Sequence, residues 1–192
     1  MPSIVETILT TTDAHGSVHI APLGLIAEGD GWVIAPFRPS RTLDNLTAHP
    51  FAVASHTEDV RVFAGCLTGR REWPLVPADK IAGARLADAT SHWELAVERV
   101  DADPVRPRFV TRVVHTGQHR AWAGFNRAQA AVLEAAVLVS RLHMLPPEKV
   151  EAEVAYLTIA IEKTAGPHEA EAWGWLMHRV ETWRRERPVG KS

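Results

Sequence analysis

The chain has 192 residues, of which 46% are hydrophobic, and its formal net charge is −2. This size allows one large domain, or one domain with an appendage, and the near-neutral charge gives no basic field for nucleic acid. Cys66 is the only cysteine, so an intramolecular disulfide cannot form, which agrees with a reducing compartment.

The sequence carries neither a signal peptide nor a membrane span by its local pattern. The N-terminus lacks a basic start followed by a long apolar run. The most apolar segment, Ala128 to Leu145, is interrupted by Glu134, Arg141 and His143. We therefore expect a soluble, cytoplasmic protein with no nucleic-acid or membrane partner.

The first two predicted elements form a β-hairpin. Ile4 to Thr12 is rich in β-branched residues, and Ser17 to Ile26 is the second strand. Between them, Asp13-Ala14-His15-Gly16 is a turn signal. Pro22 within the second strand predicts an edge position or a bulge, and Gly24 allows the close approach of another group.

A third strand, a short helix and a fourth strand follow. The strand is predicted over Trp32 to Phe37, and the helix over Arg41 to Ala48, with Ser40 as N-cap and Pro50 as the stop. Phe51 to Ser55 is the fourth strand. Three strands, a short helix and another strand predict an antiparallel barrel rather than a doubly wound sheet.

The start of this short helix is a candidate anion site. A helix N-terminus presents unpaired N–H groups and a partial positive charge, which suit a phosphate. Arg38 and Arg41 flank it, and Ser40, Thr42 and Asn45 add hydroxyl and amide groups. From local sequence alone, the alternative is an ordinary connection with solvated arginines.

The middle of the chain continues the barrel. Thr57 to Ala64 is expected to form a short helix or loop, and Pro77 can start a helix that runs to Ala87. Trp93 to Val100 alternates at the strand period, and Arg108 to His115 is a last strand. The barrel domain is therefore predicted over residues 1–122.

From residue 123 onward the pattern becomes helical. Asn126 is a good N-cap for a helix that reaches Leu145 before Pro146-Pro147. Two more helices are predicted over Glu148 to Thr164 and Glu169 to Glu186, which gives a bundle of three helices over residues 123–192. The first helix is apolar nearly all round, so we expect it to be buried and consider it for a subunit interface.

The histidines and the cysteine give no strong site. His15 and His19 are four residues apart, as are His115 and His119, but neither pair has a third metal-type ligand at a supporting spacing. We therefore predict no metal site. Cys66, with no histidine or lysine pattern around it, is predicted to be a core residue.

Two stretches of this sequence together resemble the flavin reductase-like, FMN-binding split-barrel superfamily. The first runs from ETILTTTDAHGSVHIAPLG through Pro36-Phe37 and SRTLDNL to FAVAS, and the second is NRAQAAVLEA at 126–135. In this order they resemble a functionally uncharacterised branch with a C-terminal helical extension. The resemblance covers nearly the whole chain and implies an α+β, mainly β fold, with an antiparallel split β-barrel followed by helices.

The resemblance also implies a homodimer with FMN near the subunit interface. The T-x-x-N step that handles the phosphate falls on Thr42 and Asn45, with Ser40, Arg38 and Arg41 nearby. Two further segments are implied to contact the flavin. They are Ala21, Pro22, Leu23 and Gly24 along the isoalloxazine edge, and Ser55, His56 and Thr57 at the end of the fourth strand. The second departs from the family pattern, because Ala54-Ser55-His56 stands where flavin reductases often have Val-Asn.

The implied function is an FMN-dependent oxidoreductase that acts on an unidentified small molecule. Members of the branch are associated with tetrahydromethanopterin-linked one-carbon metabolism. The alternative is a non-enzymatic flavin, haem or pterin carrier, or a dimeric partner, because Trp173, Trp175 and Trp183 enrich the last helix in interface-type residues. No catalytic residue is assigned.

A few other residues have two readings each. His19 and His56 either have no functional role, or line the flavin pocket or donate a proton to a substrate. Arg127, Glu134 and Arg141 are spaced by seven and either form an ion-pair ladder or send an arginine to a substrate or to the partner's FMN. Trp122 and Phe125 either pack where barrel and helices join or stack on a ligand.

Overall fold

The computed structural model describes residues 2–186, which divide into two compact units. A barrel unit comprises residues 2–58 and 72–122, and a helical unit comprises residues 59–71 and 123–186. The segment 59–71 is therefore part of the helical unit, although it lies within 1–122 in sequence. No helix in residues 2–186 is both long enough and apolar enough to cross a membrane.

Six antiparallel strands close the barrel in the order β1-β2-β3-β8-β7-β4. The predicted antiparallel barrel is thus confirmed, and a small two-stranded sheet, β5-β6, is added to it. The elements of this unit are β1 (Ile4–Thr12), β2 (Val18–Glu28), β3 (Gly31–Ile34), α1 (Arg41–Ala48), β4 (Phe51–His56), β5 (Leu75–Pro77), β6 (Ala84–Leu86), β7 (Ser91–Asp101) and β8 (Arg108–Gln118).

The β1–β2 hairpin forms at the predicted turn. The Asp13 carboxylate accepts the backbone N–H groups of His15 and Ser17 at 2.8 and 2.9 Å. Gly16 has a φ of 84°, a conformation that glycine adopts without a steric penalty. A side-chain acceptor followed by a permissive glycine thus fixes the register from Thr12–Val18 to Ile4–Ile26.

The helix α1 covers part of the barrel core. Its predicted start is confirmed, since the Ser40 hydroxyl accepts the Leu43 N–H at 3.3 Å. Leu43 and Leu46, three apart on one face, are buried in the cluster of barrel side chains that includes Leu9 and Leu95. This packing fixes the position of the helix N-terminus relative to β1 and β2.

The predicted helix from Pro77 to Ala87 is wrong. Pro77 ends β5, Ala84 begins β6, and the residues between them form a tight loop. A helix needs its backbone amides for its own hydrogen bonds, but here the buried Glu94 carboxylate accepts those of Asp79, Lys80 and Ile81 at 2.5 to 3.2 Å. A distant carboxylate therefore overrides the local helix signal.

Four helices make up the helical unit: α2 (Arg61–Leu67), α3 (Arg127–Ser140), α4 (Pro147–Thr164) and α5 (Pro167–Glu186). The Asn126 side chain accepts the amides of Ala128 and Gln129, so the predicted N-cap is confirmed. α3 ends at Ser140, before the predicted Leu145. Cys66 is buried, as predicted, and α2 packs against α3 and α5.

Within the helical unit α3 is buried on one face, and its place in a subunit interface stays a prediction. Ala128, Val132 and Ala135 are fully buried, whereas Arg127 and Glu134 are exposed. Like Arg141, these two make no ion pair with any residue in the range 2–186. Residues spaced by seven are about 10.5 Å apart along the helix, too far for one to pair with the next. The intrahelical ladder is therefore absent from the described part of the chain.

Candidate functional site

The start of α1 offers an anion two kinds of group. The first four backbone N–H groups of a helix have no acceptor within the helix. The Ser40 hydroxyl accepts the N–H of Leu43, and the N–H groups of Arg41 and Thr42 at the helix start are left for a ligand. The side chains of Arg38 and Arg41 are exposed beside these amides. Amides plus two guanidinium groups are a chemically suitable phosphate site.

Two of the residues predicted to contact the phosphate are buried in the barrel unit, and their contact with a phosphate stays a prediction. Thr42 and Asn45 are 4% and 3% exposed, and the Asn45 side-chain amide donates to the Thr11 hydroxyl at 3.0 Å. This bond ties α1 to β1. Asn45 thus positions the helix start, and the exposed arginines are the groups free to reach a ligand from solvent.

The segment Ala21–Gly24 lies on an open edge of β2. β3 pairs with β2 only over Ile26–Glu28, so the earlier part of β2 pairs with β1 alone among the described strands. This explains why Pro22, which has no N–H to donate, is tolerated there. An edge of this kind presents backbone N–H and C=O groups to a ligand.

The third predicted segment lies at the far end of β4. His56 follows Phe51 by five residues, about 17 Å along a strand that begins just after α1. Ser55 is fully buried, and its hydroxyl accepts the Leu86 N–H at 3.1 Å, which anchors β6. Pro22 and Ser55 both pair with Ile8 of β1, so the second and third predicted segments flank the same point of β1, whereas α1 is held at Thr11, three residues further along that strand.

His56 contacts one ring of a stacked pair of tryptophans. Its ring meets the edge of Trp93 at 4.4 Å, and Trp93 stacks on Trp32 at 4.8 Å. Its Nδ1 atom lies 3.0 Å from the Ser91 hydroxyl, while its buried Nε2 atom has no hydrogen-bond partner among the described residues. Burial lowers the pKa of His56, so this ring is neutral at neutral pH and its Nε2 atom is available to a ligand.

Sequence reasoning missed a second polar cluster, on the outer face of the barrel. His92 and Glu94 are two apart on β7 and share one face, while Trp93 and Leu95 point to the barrel interior. The His92 Nε2 atom lies 3.3 Å from Glu94 Oε1 and 3.5 Å from Asp79 Oδ2. His115 Nε2 lies 3.1 Å from the same Asp79 oxygen.

The expectation that His115 has no further metal-type neighbours is therefore wrong. His119 does not share the face of His115 in a strand, since β8 ends at Gln118; its Nε2 atom lies 2.9 Å from His92 Nδ1. The i, i+2 spacing of His92 and Glu94 was the available signal. Asp79 lies in a loop that local sequence assigned to a helix, so its contribution was hidden.

Electrostatics set the charge states within this cluster. Burial acts to raise the pKa of Glu94, but hydrogen bonds from the amides of Asp79, Ile81 and Lys80 and from His92 outweigh it and hold that pKa below its usual range. Burial, with the nearby Arg85 charge, lowers the pKa of His119. At neutral pH the cluster thus contains an ionised Glu94 and a neutral His119.

The remaining candidates are placed less specifically. His15 lies in the exposed β1–β2 turn, and His19 lies opposite Thr11 in the hairpin. Trp122 and Phe125 are 57% and 99% exposed. Trp175 packs against the helical core and lies 4.2 Å below the Arg70 guanidinium.

The chain is thus an antiparallel barrel followed by helices, with two arginines at the N-terminus of α1. Family models identify the class of protein to which it belongs. The N-terminal domain family of a protein of unknown function (DUF447) matches residues 5–120, and the corresponding DUF447 family matches residues 126–178. The chain belongs to the DUF447 family. A sequence search of curated proteins finds no match.

Solved structures give the same result at the level of the fold. The FMN-bound DUF447 protein MM1853 from Methanosarcina mazei is similar over 93% of this chain and 96% of its own, with a TM-score of 0.80 and 18% identity. The 2-nitrobenzoate 2-nitroreductase NbaA of Pseudomonas fluorescens covers 62% of this chain and 66% of its own (TM-score 0.51, 19% identity). The NADH:FAD oxidoreductase SgcE6 of Streptomyces globisporus covers 62% and 72% (TM-score 0.51, 15% identity). The resemblance to flavin reductase-like, FMN-binding proteins is thereby confirmed.

Proposed function

We propose that this chain is an FMN-binding flavoprotein of the flavin reductase type that transfers electrons between a reduced donor and a small-molecule acceptor. The observation that carries the proposal is the start of α1. There Arg38 and Arg41 flank unpaired helix amides, in a chain whose fold matches an FMN-bound protein over 93% of its length.

The barrel is of the split kind in this proposal. β3 has four residues and pairs with β2 only over Ile26–Glu28 and with β8 only over Phe109–Thr111. The first part of β2 therefore borders β1 alone among the described strands, which leaves an opening along Ala21–Gly24. This opening supports the assignment of that segment to the flavin ring.

FMN fits the groups that this chain offers. Its phosphate suits Arg38 and Arg41 at the helix start, and its flat ring suits an open strand edge with backbone donors. The buried, unpartnered Nε2 atom of His56 is a further polar group that a bound molecule can satisfy. When bound, FMN supplies the hydride and electron chemistry, while the protein binds, orients and shields it.

The chain's own residues then have limited roles. Arg38 and Arg41 bind the phosphate, and Asn45 holds α1 against β1 through Thr11. His56, held by Ser91, presents a neutral ring nitrogen that can donate or accept one proton as a substrate changes charge. Trp93, which packs with Trp32 against the barrel core, forms the apolar side of the His56 environment.

The carrier alternative stays a prediction with less support from the last helix. Trp173, Trp175 and Trp183 are half-buried against the core of the helical unit, so only part of each ring faces solvent. The link to tetrahydromethanopterin-dependent metabolism stays a prediction from the family resemblance.

The experiment is a spectroscopic titration of the purified protein. We expect a flavin spectrum on isolation or after addition of FMN, with one FMN per chain. Under anaerobic conditions NADH or NADPH then bleaches that spectrum, and an acceptor such as a quinone or nitroaromatic restores it. Absence of FMN binding overturns the proposal; binding without reduction leaves a flavin binder and removes the enzyme.

We also propose that the protein is a homodimer with the flavin near the subunit interface. An exposed face of the helical unit supports the dimer: Tyr156 and Ile159 on α4 are 75% and 47% exposed. A groove of about 300 Å³ runs between α4 and α3. Large apolar side chains exposed together on one face are typical of an interface.

A further inference from the structure

We propose that Asp79, His92, His115 and Glu94 form a binding site for a divalent transition-metal ion of the zinc type. The site lies on the outer face of the barrel, whereas Trp93 and Leu95, which alternate with His92 and Glu94 along β7, face the interior. His92 pairs across the strands with Ser55, beside the segment predicted to contact the flavin. The metal proposal uses none of the groups assigned to FMN and is tested without FMN, so each proposal can fail without the other.

The ligand set and its spacing suit such an ion. Each residue offers one ligand atom, two imidazole nitrogens and two carboxylate oxygens, and all four atoms lie within 4.8 Å of one another. Two ligands at about 2.0–2.1 Å from a tetrahedral zinc ion lie about 3.3 Å apart. Three of the six separations among these atoms are 3.1, 3.3 and 3.5 Å and match that value, and the other three are at most 4.8 Å.

The surroundings of His92 are those of an oriented metal ligand. A metal-bound histidine commonly donates its second ring N–H to a fixed acceptor, and His92 Nδ1 lies 2.9 Å from His119 Nε2, with the two rings parallel. A Cβ atom at Gly117 would lie 2.3 Å from His92 Cε1. The absence of a side chain at Gly117 thus makes room for the ring in this orientation.

Glu94 is held equally firmly. Three backbone amides occupy most of the acceptor positions of its carboxylate, and the remaining position points to His92 Nε2. Asp79 and His115 are instead partly exposed, with side-chain exposures of 48% and 27%. Two fixed groups and two solvent-facing groups give an ion both a preformed site and an entry path.

The competing reading is a hydrogen-bonded clamp that only fastens the loop 79–81 to β7. Glu94 is sufficient for that clamp, since it alone accepts the three loop amides. The clamp does not need two imidazole Nε2 atoms directed at one oxygen of Asp79. The two readings differ in one measurable property, the uptake of a metal ion.

The test uses the full chain after treatment with a chelator. We expect one Zn²⁺ per chain in competition with a chromophoric chelator, and Co²⁺ to give the strong visible absorption of a four-coordinate site. Asp79→Asn and His115→Gln should abolish both signals, whereas His178→Ala, which removes an exposed histidine of α5, should leave them unchanged. His119→Ala should weaken Zn²⁺ binding by about 10–100-fold.

Failure of the unsubstituted protein to take up either ion overturns the proposal, as does undiminished uptake by the Asp79→Asn, His115→Gln double variant. If that variant unfolds, metal uptake by the unsubstituted protein still tests the proposal. Paramagnetic Co²⁺ must broaden the imidazole resonances of His92 and His115 before those of His15 and His178, and uniform broadening of all histidines counts against the site.

Discussion

Arg41 and Asn45 lie one turn apart on α1, yet they face different environments. Asn45 is buried and bonded to Thr11, whereas Arg41 is exposed beside the helix start. Local sequence correctly identified the N-cap and the cations, because a cap and a turn depend on residues only a few positions apart. It could not tell which of these polar side chains are buried, since burial depends on the strand against which the helix packs.

The phosphate role is best tested with the exposed residues. Replacing Arg38 and Arg41 by glutamine should weaken FMN binding at least about tenfold, because each charge-assisted hydrogen bond contributes about 1.5–3 kcal/mol. Riboflavin, which lacks the phosphate, should bind nearly as before. Fluorescence titration with both ligands gives the ratio, and Arg179→Gln in the helical unit is the matched control. Equal losses for FMN and riboflavin would remove the arginines from phosphate binding.

At the scale of elements, prediction succeeded where the determinants are local. The hairpin turn at Asp13, the cap at Ser40 and the cap at Asn126 each involve neighbouring residues. The segment after Pro77 failed because Glu94, more than a dozen positions away, binds its amides. The cluster of Asp79, His92 and His115 was missed for the same reason, since β7–β8 pairing and a loop bring it together.

Two glycines should respond in opposite directions to alanine. A Cβ atom at Gly31 would lie 2.2 Å from the Thr111 carbonyl oxygen, so Gly31→Ala must force β3 away from β8 and should cost about 2 kcal/mol or more. At Gly174, in the middle of α5, a Cβ atom meets nothing within 4 Å, so Gly174→Ala should stabilise by about 1 kcal/mol. Denaturant unfolding monitored by circular dichroism measures both. A neutral Gly31→Ala would mean that β3 and β8 are not in close contact.

For the whole molecule, the exposed apolar face of α3 and α4 bears on assembly. Tyr156 and Ile159 are exposed on a helix whose other face packs on the helical core. The sequence does not predict this exposure. α4 is amphipathic, but its charged residues do not show which of its apolar side chains remain exposed to solvent.

We predict that the protein runs as a dimer of the 21.1 kDa chain in light scattering. Tyr156→Glu with Ile159→Glu should halve that mass, because two charges in a desolvated interface are unpaired. Val105→Glu, at an equally exposed position of the barrel unit, should not change it. A monomeric unsubstituted protein contradicts the prediction, and a dimer that survives both substitutions assigns the interface to another surface.

The stacking of Trp32 on Trp93 has an optical consequence. Two indole rings 4.8 Å apart couple their electronic transitions, so this pair contributes its own couplet to the circular dichroism spectrum, distinct from the signals of the chain's five other tryptophans. Trp93 stands between His92 and Glu94 on β7 and touches the ring of His56. The pair joins β3 to β7, so a change in its couplet reports a change in the barrel interior beside His56.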